Sequence, residues 1–363
     1  MSTLRTFAFA GGLPFVLSWH YCLGMLVGVC DFPARYAFPP TGYAGIERWL
    51  WAVAVGARRV GATVHLLGER WRPELAADWC IDRIRLEDVG DGPQLAQLRA
   101  VGYDLLVTWH EYPARPAWRR VWRMLGCDVA TFQHGTNRRH PVGTFDGVSA
   151  RLYCYSPEMM ALYAADHPRA ELAVHQGLGE DEPPAVDGRD LVWIGRIDAD
   201  KAPHLAVLAA KRLARRIRVV GPIFDAAYLE RYRSLFFSPD VELVGEVGGA
   251  AKTVEFHRAK VFIYTCARTY VEAGAAVFGE ALRAGTPVAA LAWRTATCAE
   301  VALCADTGKV AIVDPTENDE CAAEALASAI EQASMLRADA VQEIGLARFD
   351  PARHFQALAA RSA

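Results

Sequence analysis

Four charged side chains carry the chemistry suggested by this sequence. Arg196 and Lys201 stand five residues apart in Gly195-Arg-Ile-Asp-Ala-Asp-Lys201, and Glu272 and Glu280 stand eight apart in Glu272-Ala-Gly-Ala-Ala-Val-Phe-Gly-Glu280. Two cations flanking a short loop suit a diphosphate, whose charge they share through charge-assisted hydrogen bonds. Either cation alone reads as an ordinary surface charge. On a continuous helix, two carboxylates eight steps apart are separated by about 80° and about 12 Å. One at the helix start and the other two turns along therefore reach the same elongated ligand. Ala273, Gly274 and Ala275 are small enough to leave backbone N–H groups bare at the helix amino terminus, a ready anion site. The plainer alternative makes Glu272 a first-turn acid and Glu280 an ordinary helix carboxylate.

Two histidines follow apolar runs. His134 lies in Thr131-Phe-Gln-His-Gly-Thr136, just past an expected strand end, and His110 closes Thr108-Trp-His. His110 is expected to line a cleft, although a lone histidine is often structural.

Those residues need elements to hold them. Short apolar runs at Met25–Cys30, Thr63–Leu67, Asp104–Thr108, Asp128–Phe132 and Leu152–Tyr155 alternate with helical spacing such as Ile46–Val60. The segment 177–190 is rich in Gly, Pro and acid and reads as an interdomain linker. The rhythm then restarts with runs at Leu191–Ile194, Ile217–Val220, Val241–Val244, Val261–Tyr264, Pro287–Leu291 and Lys309–Val313. The predicted class is α/β: two doubly wound parallel sheets facing across a cleft, with ligands beyond the carboxyl ends of the strands. The expected division is 25–180, 181–345 and a carboxyl-terminal helix, 346–363, crossing back to the first domain.

Composition narrows the function. A chain of 363 residues with 52% apolar content has material for about two domains. With 39 Lys and Arg against 42 Asp and Glu, the net charge of −3 gives no field for nucleic acid. Nine irregularly spaced cysteines without a C-x-x-C point to a reducing, cytoplasmic setting and to no zinc knuckle or other metal site. Between Arg5 and Asp31 no Asp, Glu, Lys or Arg occurs. Residues 1–24 read either as an extension or mis-called start, or as an interfacial or targeting segment that places the protein at the inner membrane face. No G-x-G-x-x-G follows the Met25 or Leu191 runs, which argues against a dinucleotide-dependent dehydrogenase.

Taken in order, Gly195-Arg196…Lys201, Val219-Val-Gly-Pro222, Val244-Gly-Glu-Val247, the E-x7-E pair Glu272/Glu280 and Ala284-Gly-Thr-Pro-Val288 resemble the retaining glycosyltransferases of family 4, which have the GT-B fold. Pro39-Pro-Thr-Gly-Tyr-Ala-Gly-Ile-Glu-Arg48 resembles the family's glycine-rich loop and following helix. The likeness covers about residues 25–360 and leans toward actinomycete members acting on secondary metabolites. It implies that Arg196 and Lys201 bind the donor diphosphate and that Glu280 takes the ribose hydroxyls. Glu272 would stand beside the transferred sugar, with Gly195, Val247 and the amides of Ala273, Gly274 and Ala275 around the donor. Gly42 and Gly45 match the loop over the diphosphate, and Glu47 a polar residue at the start of the first helix. His134, or Gln133 one residue earlier, matches a histidine at the donor sugar. Two departures stand out: Ala44-Gly45 replaces a Gly-Gly pair, and Ala292-Trp-Arg replaces a Gly-rich turn. The second suggests that Trp293 or Arg294 intrudes on the donor pocket.

The implied reaction is metal-independent transfer of a sugar from a nucleotide-diphosphate donor, by default UDP-linked, to a hydroxyl of a small-molecule, glycan or lipid-linked acceptor. The nucleotide sugar is a co-substrate, and no cofactor is implied. A nucleotide-sugar epimerase, a phosphorylase and a non-catalytic sugar-binding scaffold remain open as alternatives.

Overall fold

The structure, a computed structural model, describes residues 24–360 apart from 43, 91, 110, 134–139, 168–170, 175–181 and 273. The extension up to residue 23 and the candidates His110, His134 and Ala273 lie outside the described residues.

Two parallel sheets organise the chain. The first contains β1 (Leu26–Cys30), β2 (Thr63–Leu67), β3 (Cys80–Asp82), β4 (Leu105–Trp109), β5 (Asp128–Phe132), β6 (Ala150–Cys154) and β7 (Glu171–Val174) in the order 3-2-1-4-5-6-7. The second contains β8 (Asp190–Ile194), β9 (Ile217–Val220), β10 (Val241–Gly245), β11 (Ala259–Tyr264), β12 (Val288–Ala292) and β13 (Gly308–Ile312) in the order 10-9-8-11-12-13. Strands such as β4 and β12 are buried at every position. Helices cover both faces of such sheets, so the central strands read as unbroken apolar runs. In each sheet the order reverses beside the first strand, between β1 and β4 and between β8 and β11. Loops leaving those strands open the crevice where ligands bind in this class.

The helix Gly45–Arg59 buries Trp49, Leu50, Val53, Ala54 and Ala57. Each large side chain among them contributes about 1.5–3 kcal/mol. The terminal helix Pro351–Ala359 packs on it. Trp49 Nε1 donates to His354 Nε2 at 2.9 Å, and Tyr153 Oη donates to the Leu358 carbonyl at 2.8 Å. Gly56 marks the crossing: a Cβ there would sit 2.0 Å from the Pro351 carbonyl oxygen. A backbone oxygen cannot swing aside, so Gly56→Val is expected to lower stability by about 1–3 kcal/mol through overpacking. An unchanged melting temperature in that variant would contradict the packing.

Ion pairs tie this crossing to the second sheet. Glu182 lies 3.5 Å from Arg59 and 3.5 Å from Arg283, and Arg283 donates to the Phe349 carbonyl at 3.2 Å. Among the described residues, no helix is long and apolar enough to cross a membrane.

Candidate active site

The second sheet positions the cations. After β8 the chain runs through Gly195, whose N–H donates to the Val220 carbonyl at 3.0 Å. Gly221 opposite it has φ +140°, and a Cβ there would lie 1.7 Å from the Gly195 carbonyl oxygen. Only glycine allows this approach. Arg196 then projects 3.2 Å from Asp198 and 3.7 Å from Asp200, with its guanidinium 4.9 Å from the Phe224 ring centre. Asp198 accepts the Lys201 backbone N–H at 2.9 Å, closing the turn. The Lys201 carbonyl accepts from Thr265 Oγ1 at 2.7 Å, and that oxygen accepts from Trp193 Nε1 at 2.9 Å. The turn after β8 is thereby fixed to the chain leaving β11.

Lys201 meets Glu272. Its ammonium hydrogen-bonds the carboxylate and lies 4.9 Å from the Tyr270 ring centre. Glu272 also accepts from Tyr264 Oη at 2.7 Å and from the Gly274 N–H at 3.4 Å. Burial pushes this carboxyl up, but the Lys201 charge and these donors outweigh it and hold the pKa below the ordinary 4.5.

One sequence expectation is corrected here. Glu272 and Glu280 do not share a helix, because the helix is Ala276–Arg283 and Glu272 lies in the preceding loop. Gly274 faces Tyr155 of the first domain so closely that a Cβ would fall 1.6 Å from Cδ2 of the ring. Ala275 is extended at φ −91°, ψ 94°, and no side chain caps the helix. Together with the bonds that draw Glu272 toward Tyr264 and Lys201, this delays the helix start.

Glu280 lies in that helix and joins the two domains. It pairs with Lys252, from the helix Gly249–Arg258, and lies 3.6 Å from Arg48 of the first domain. All three side chains are almost buried. Burial raises the Glu280 pKa, but Lys252 and Arg48 more than offset it and leave it below 4.5. A carboxyl depressed on folding adds stability that is present above its unfolded pKa and is lost as pH falls through the folded one. The melting temperature is therefore expected to drop as pH falls below 4.5 and to drop less steeply in Glu280→Gln. Parallel pH curves for the two proteins would remove Glu280 from the acid response.

A second bridge lies around Gly42 and Val247. Tyr36 Oη donates to Glu246 at 2.7 Å, and a Cβ on Gly42 would lie 2.5 Å from that same Tyr36 oxygen. Gly248 approaches Thr41, where a Cβ would lie 2.2 Å from the carbonyl oxygen. Val247 is half-buried between these contacts. Gly45 is the first residue of the Gly45–Arg59 helix, and Ala44 supplies no side-chain cap. Glu47 stands in its first turn with its pKa raised by burial. Gln133, the alternative to His134, is fully buried.

Trp293 and Arg294 line a small pocket together with Glu158, Tyr264, Tyr270 and Glu272. Both are anchored. Trp293 Nε1 donates to the Cys266 carbonyl at 2.8 Å, and Arg294 bonds Glu158 of the first domain at 2.6 Å and the Tyr270 carbonyl at 3.0 Å.

Sequence reasoning missed Arg48, Lys252 and Asp31. Arg48 interrupts the apolar face of its helix, and a buried cation there calls for a partner. Asp31 directly follows β1, as Gly195-Arg196 follows β8. It is 3% exposed and accepts the Arg70 N–H at 2.6 Å.

Two doubly wound sheets, with charged side chains gathered after the first strand of the second, define the GT-B class. Residues 180–343 match the family described as Glycosyl transferases group 1. That segment is thus a group 1, or family 4, glycosyltransferase domain, and the chain as a whole has the GT-B fold. No curated protein matches it in sequence. Among solved structures it is similar to AviGT4, a glycosyltransferase involved in avilamycin A biosynthesis, at 20% identity over 92% of this chain and 95% of that one, with a TM-score of 0.67. It is also similar to Alr3699/HepE of Anabaena, solved with UDP-glucose, at 16% identity over 93% and 98%, with a TM-score of 0.66. The glycosyltransferase WaaG, involved in lipopolysaccharide biosynthesis, matches at 16% identity over 92% and 98%, with a TM-score of 0.61.

Proposed function

We propose that the protein transfers a sugar from a nucleotide-diphosphate donor, UDP-linked by default, to an acceptor hydroxyl with retention of anomeric configuration. The observation that carries this reading is the meeting of Lys201 and Glu272 beside Arg196, at the point where the strand order reverses. Breaking a sugar–phosphate bond builds negative charge on the diphosphate and positive charge at the anomeric carbon. Arg196 and Lys201 stabilise the first, helped by the amino termini of the helices Gly45–Arg59 and Ala276–Arg283, neither of which has a side-chain cap. In this reading the two cations serve where other transferases use a divalent ion. The leaving phosphate takes the acceptor proton on the same face, so no glycosidase-like carboxylate pair is needed.

Glu280 takes the ribose hydroxyls, and Glu272 stands at the sugar, with Gly195, Ala273, Gly274, Ala275 and Val247 lining the donor. Gly42, Gly45 and Glu47 cover it from the first domain, His134 or Gln133 reaches the sugar, and His110 lines the acceptor side. The proposed division is 25–180, 181–345 and 346–363, the last returning to the first domain, a reading supported by the packing of Pro351–Ala359 on Gly45–Arg59. The relative solved with UDP-glucose supports the choice of base. The reaction belongs in the reducing cytoplasm, in keeping with the free cysteines among the described residues.

The test is thermal shift with UDP, GDP, dTDP and ADP, followed by sugar transfer with the base that binds. A nucleotide at a hundred times its dissociation constant is expected to add about 2.7 kcal/mol. One base should raise the melting temperature in wild type and lose most of that effect in Lys201→Ala. No shift with any nucleotide would favour a non-catalytic scaffold, and nucleotide release without sugar on an acceptor would favour an epimerase.

A further inference from the structure

At the edge of the first sheet stands a cluster that the proposed transfer does not use. β2 and β3 run parallel with His65 opposite Cys80 and Leu67 opposite Asp82. Alternate residues of a strand share a face, so His65, Cys80 and Asp82 project to the same side. Their ligating atoms all lie within 4.8 Å of one another. A fourth group reaches them across β1. Gly28 pairs with His65, and a Cβ there would meet the Tyr103 ring at 3.3 Å and the Leu106 side chain at 2.4 Å. The bare strand lets Tyr103 place its hydroxyl 3.1 Å from His65 Nδ1 and 3.2 Å from Asp82 Oδ2, while His65 Nδ1 and Asp82 Oδ2 are 3.1 Å apart. The three atoms form a nearly equilateral triangle with the Cys80 thiol beside it.

We propose that His65, Cys80 and Asp82 bind one divalent cation of the zinc class, with the Tyr103 oxygen or a water completing the tetrahedron. Bonds of about 2.0–2.3 Å place tetrahedral ligand atoms about 3.3–3.8 Å apart, so the His65–Asp82 pair opens by only a few tenths of an ångström. The metal takes the place of the hydrogen those two groups now share, His65 binds through Nδ1 as the neutral tautomer with its proton on Nε2, and the thiol releases its proton to solvent on binding. A mixed nitrogen, sulfur and oxygen set selects a borderline cation over Mg²⁺ or Ca²⁺, which favour oxygen alone. Access is open, since Cys80 is exposed and His65 and Asp82 are partly so. The bound ion cross-links the short edge strand β3 to β2.

The test uses the full chain stripped of metal, titrated with Zn²⁺ by calorimetry and with Co²⁺ by absorption. The expected result is one ion per chain, tetrahedral cobalt bands and a thiolate-to-cobalt charge-transfer band, with Zn²⁺ raising the melting temperature. Cys80→Ser should abolish the charge-transfer band. His65→Ala should weaken zinc binding by more than about 100-fold, beyond the 10–100-fold range for a lost outer partner. Cys321→Ser removes another exposed thiol and should change neither. Because Cys80 is exposed, its serine variant keeps the fold, which the metal-free melting temperature checks. Absence of stoichiometric binding, or a charge-transfer band that survives Cys80→Ser, overturns the site and leaves a plain His–Asp–Tyr hydrogen-bond network.

Discussion

Replacing Lys201 with alanine is expected to lower turnover more than about 100-fold, the loss that follows removal of a single donor to developing negative charge. The side chain is carried on a turn fixed by the Lys201 N–H bond to Asp198 and the Thr265 bond to the Lys201 carbonyl, and the nearby Arg196 is itself engaged by Asp198 and Asp200. The substitution has a second effect. Among the described residues Glu272 keeps the Tyr264 hydroxyl and the Gly274 amide, and an almost buried carboxylate stripped of its counter-charge costs about 3–5 kcal/mol. The two effects separate in the double variant Lys201→Ala/Glu272→Gln. Its neutral amide removes the stranded charge and restores much of the stability while leaving turnover low. Nucleotide release under steady state, measured beside thermal melting, reads both. Near-wild-type turnover in a folded Lys201→Ala protein would sink the assignment of this site.

The residues of that site differ in how far sequence alone revealed them, and the reason is geometric. Arg196 and Lys201 were legible because they sit just beyond β8, whose four residues from Leu191 to Ile194 are buried and form an unbroken apolar run. Runs of that kind located the central strands of both sheets. The edge strands of the first sheet gave no such signal: Cys80-Ile-Asp82 is short and partly exposed, and Glu171–Val174 opens on a charge. Periodicity also placed Glu272 on a helix, because the feature that delays the helix is a tyrosine more than a hundred residues earlier, packed against Gly274. The partners of Glu280 were hidden for the same reason. Lys252 and Arg48 reach it only after two separate elements are folded against its helix, and no local spacing encodes that meeting. The family resemblance read from short motifs nevertheless led to the correct fold class, since most of the motifs lie at the ends of strands and in the loops leaving them, while Ala284-Gly-Thr-Pro-Val288 leads from a helix into β12.

Asp31→Asn is expected to stabilise the protein above neutral pH and to have little effect in mild acid. Asp31 follows β1 at the strand-order reversal of the first sheet, in the loop that corresponds to the Gly195-Arg196 loop of the second. Burial raises its pKa from 3.8 to about 7, and the Arg70 N–H only partly opposes this, with Glu87 adding to the rise. A carboxyl whose folded pKa is raised contributes stability that is fully present below its unfolded value and is lost as pH rises through the folded one. The window therefore runs from about pH 4 to about pH 7, and a rise of that size corresponds to about 4 kcal/mol lost across it. Asparagine carries no charge to bury. Its oxygen keeps the Arg70 N–H as donor, and its amide faces the Tyr112 hydroxyl, 3.4 Å from the present carboxylate. Melting temperatures across the window should show the variant well above wild type at the alkaline end and converging with it at the acid end. A gap that does not vary with pH would mean that Asp31 does not carry its proton into the neutral range. A variant less stable at every pH would mean that the carboxylate form is the one this pocket is built to hold.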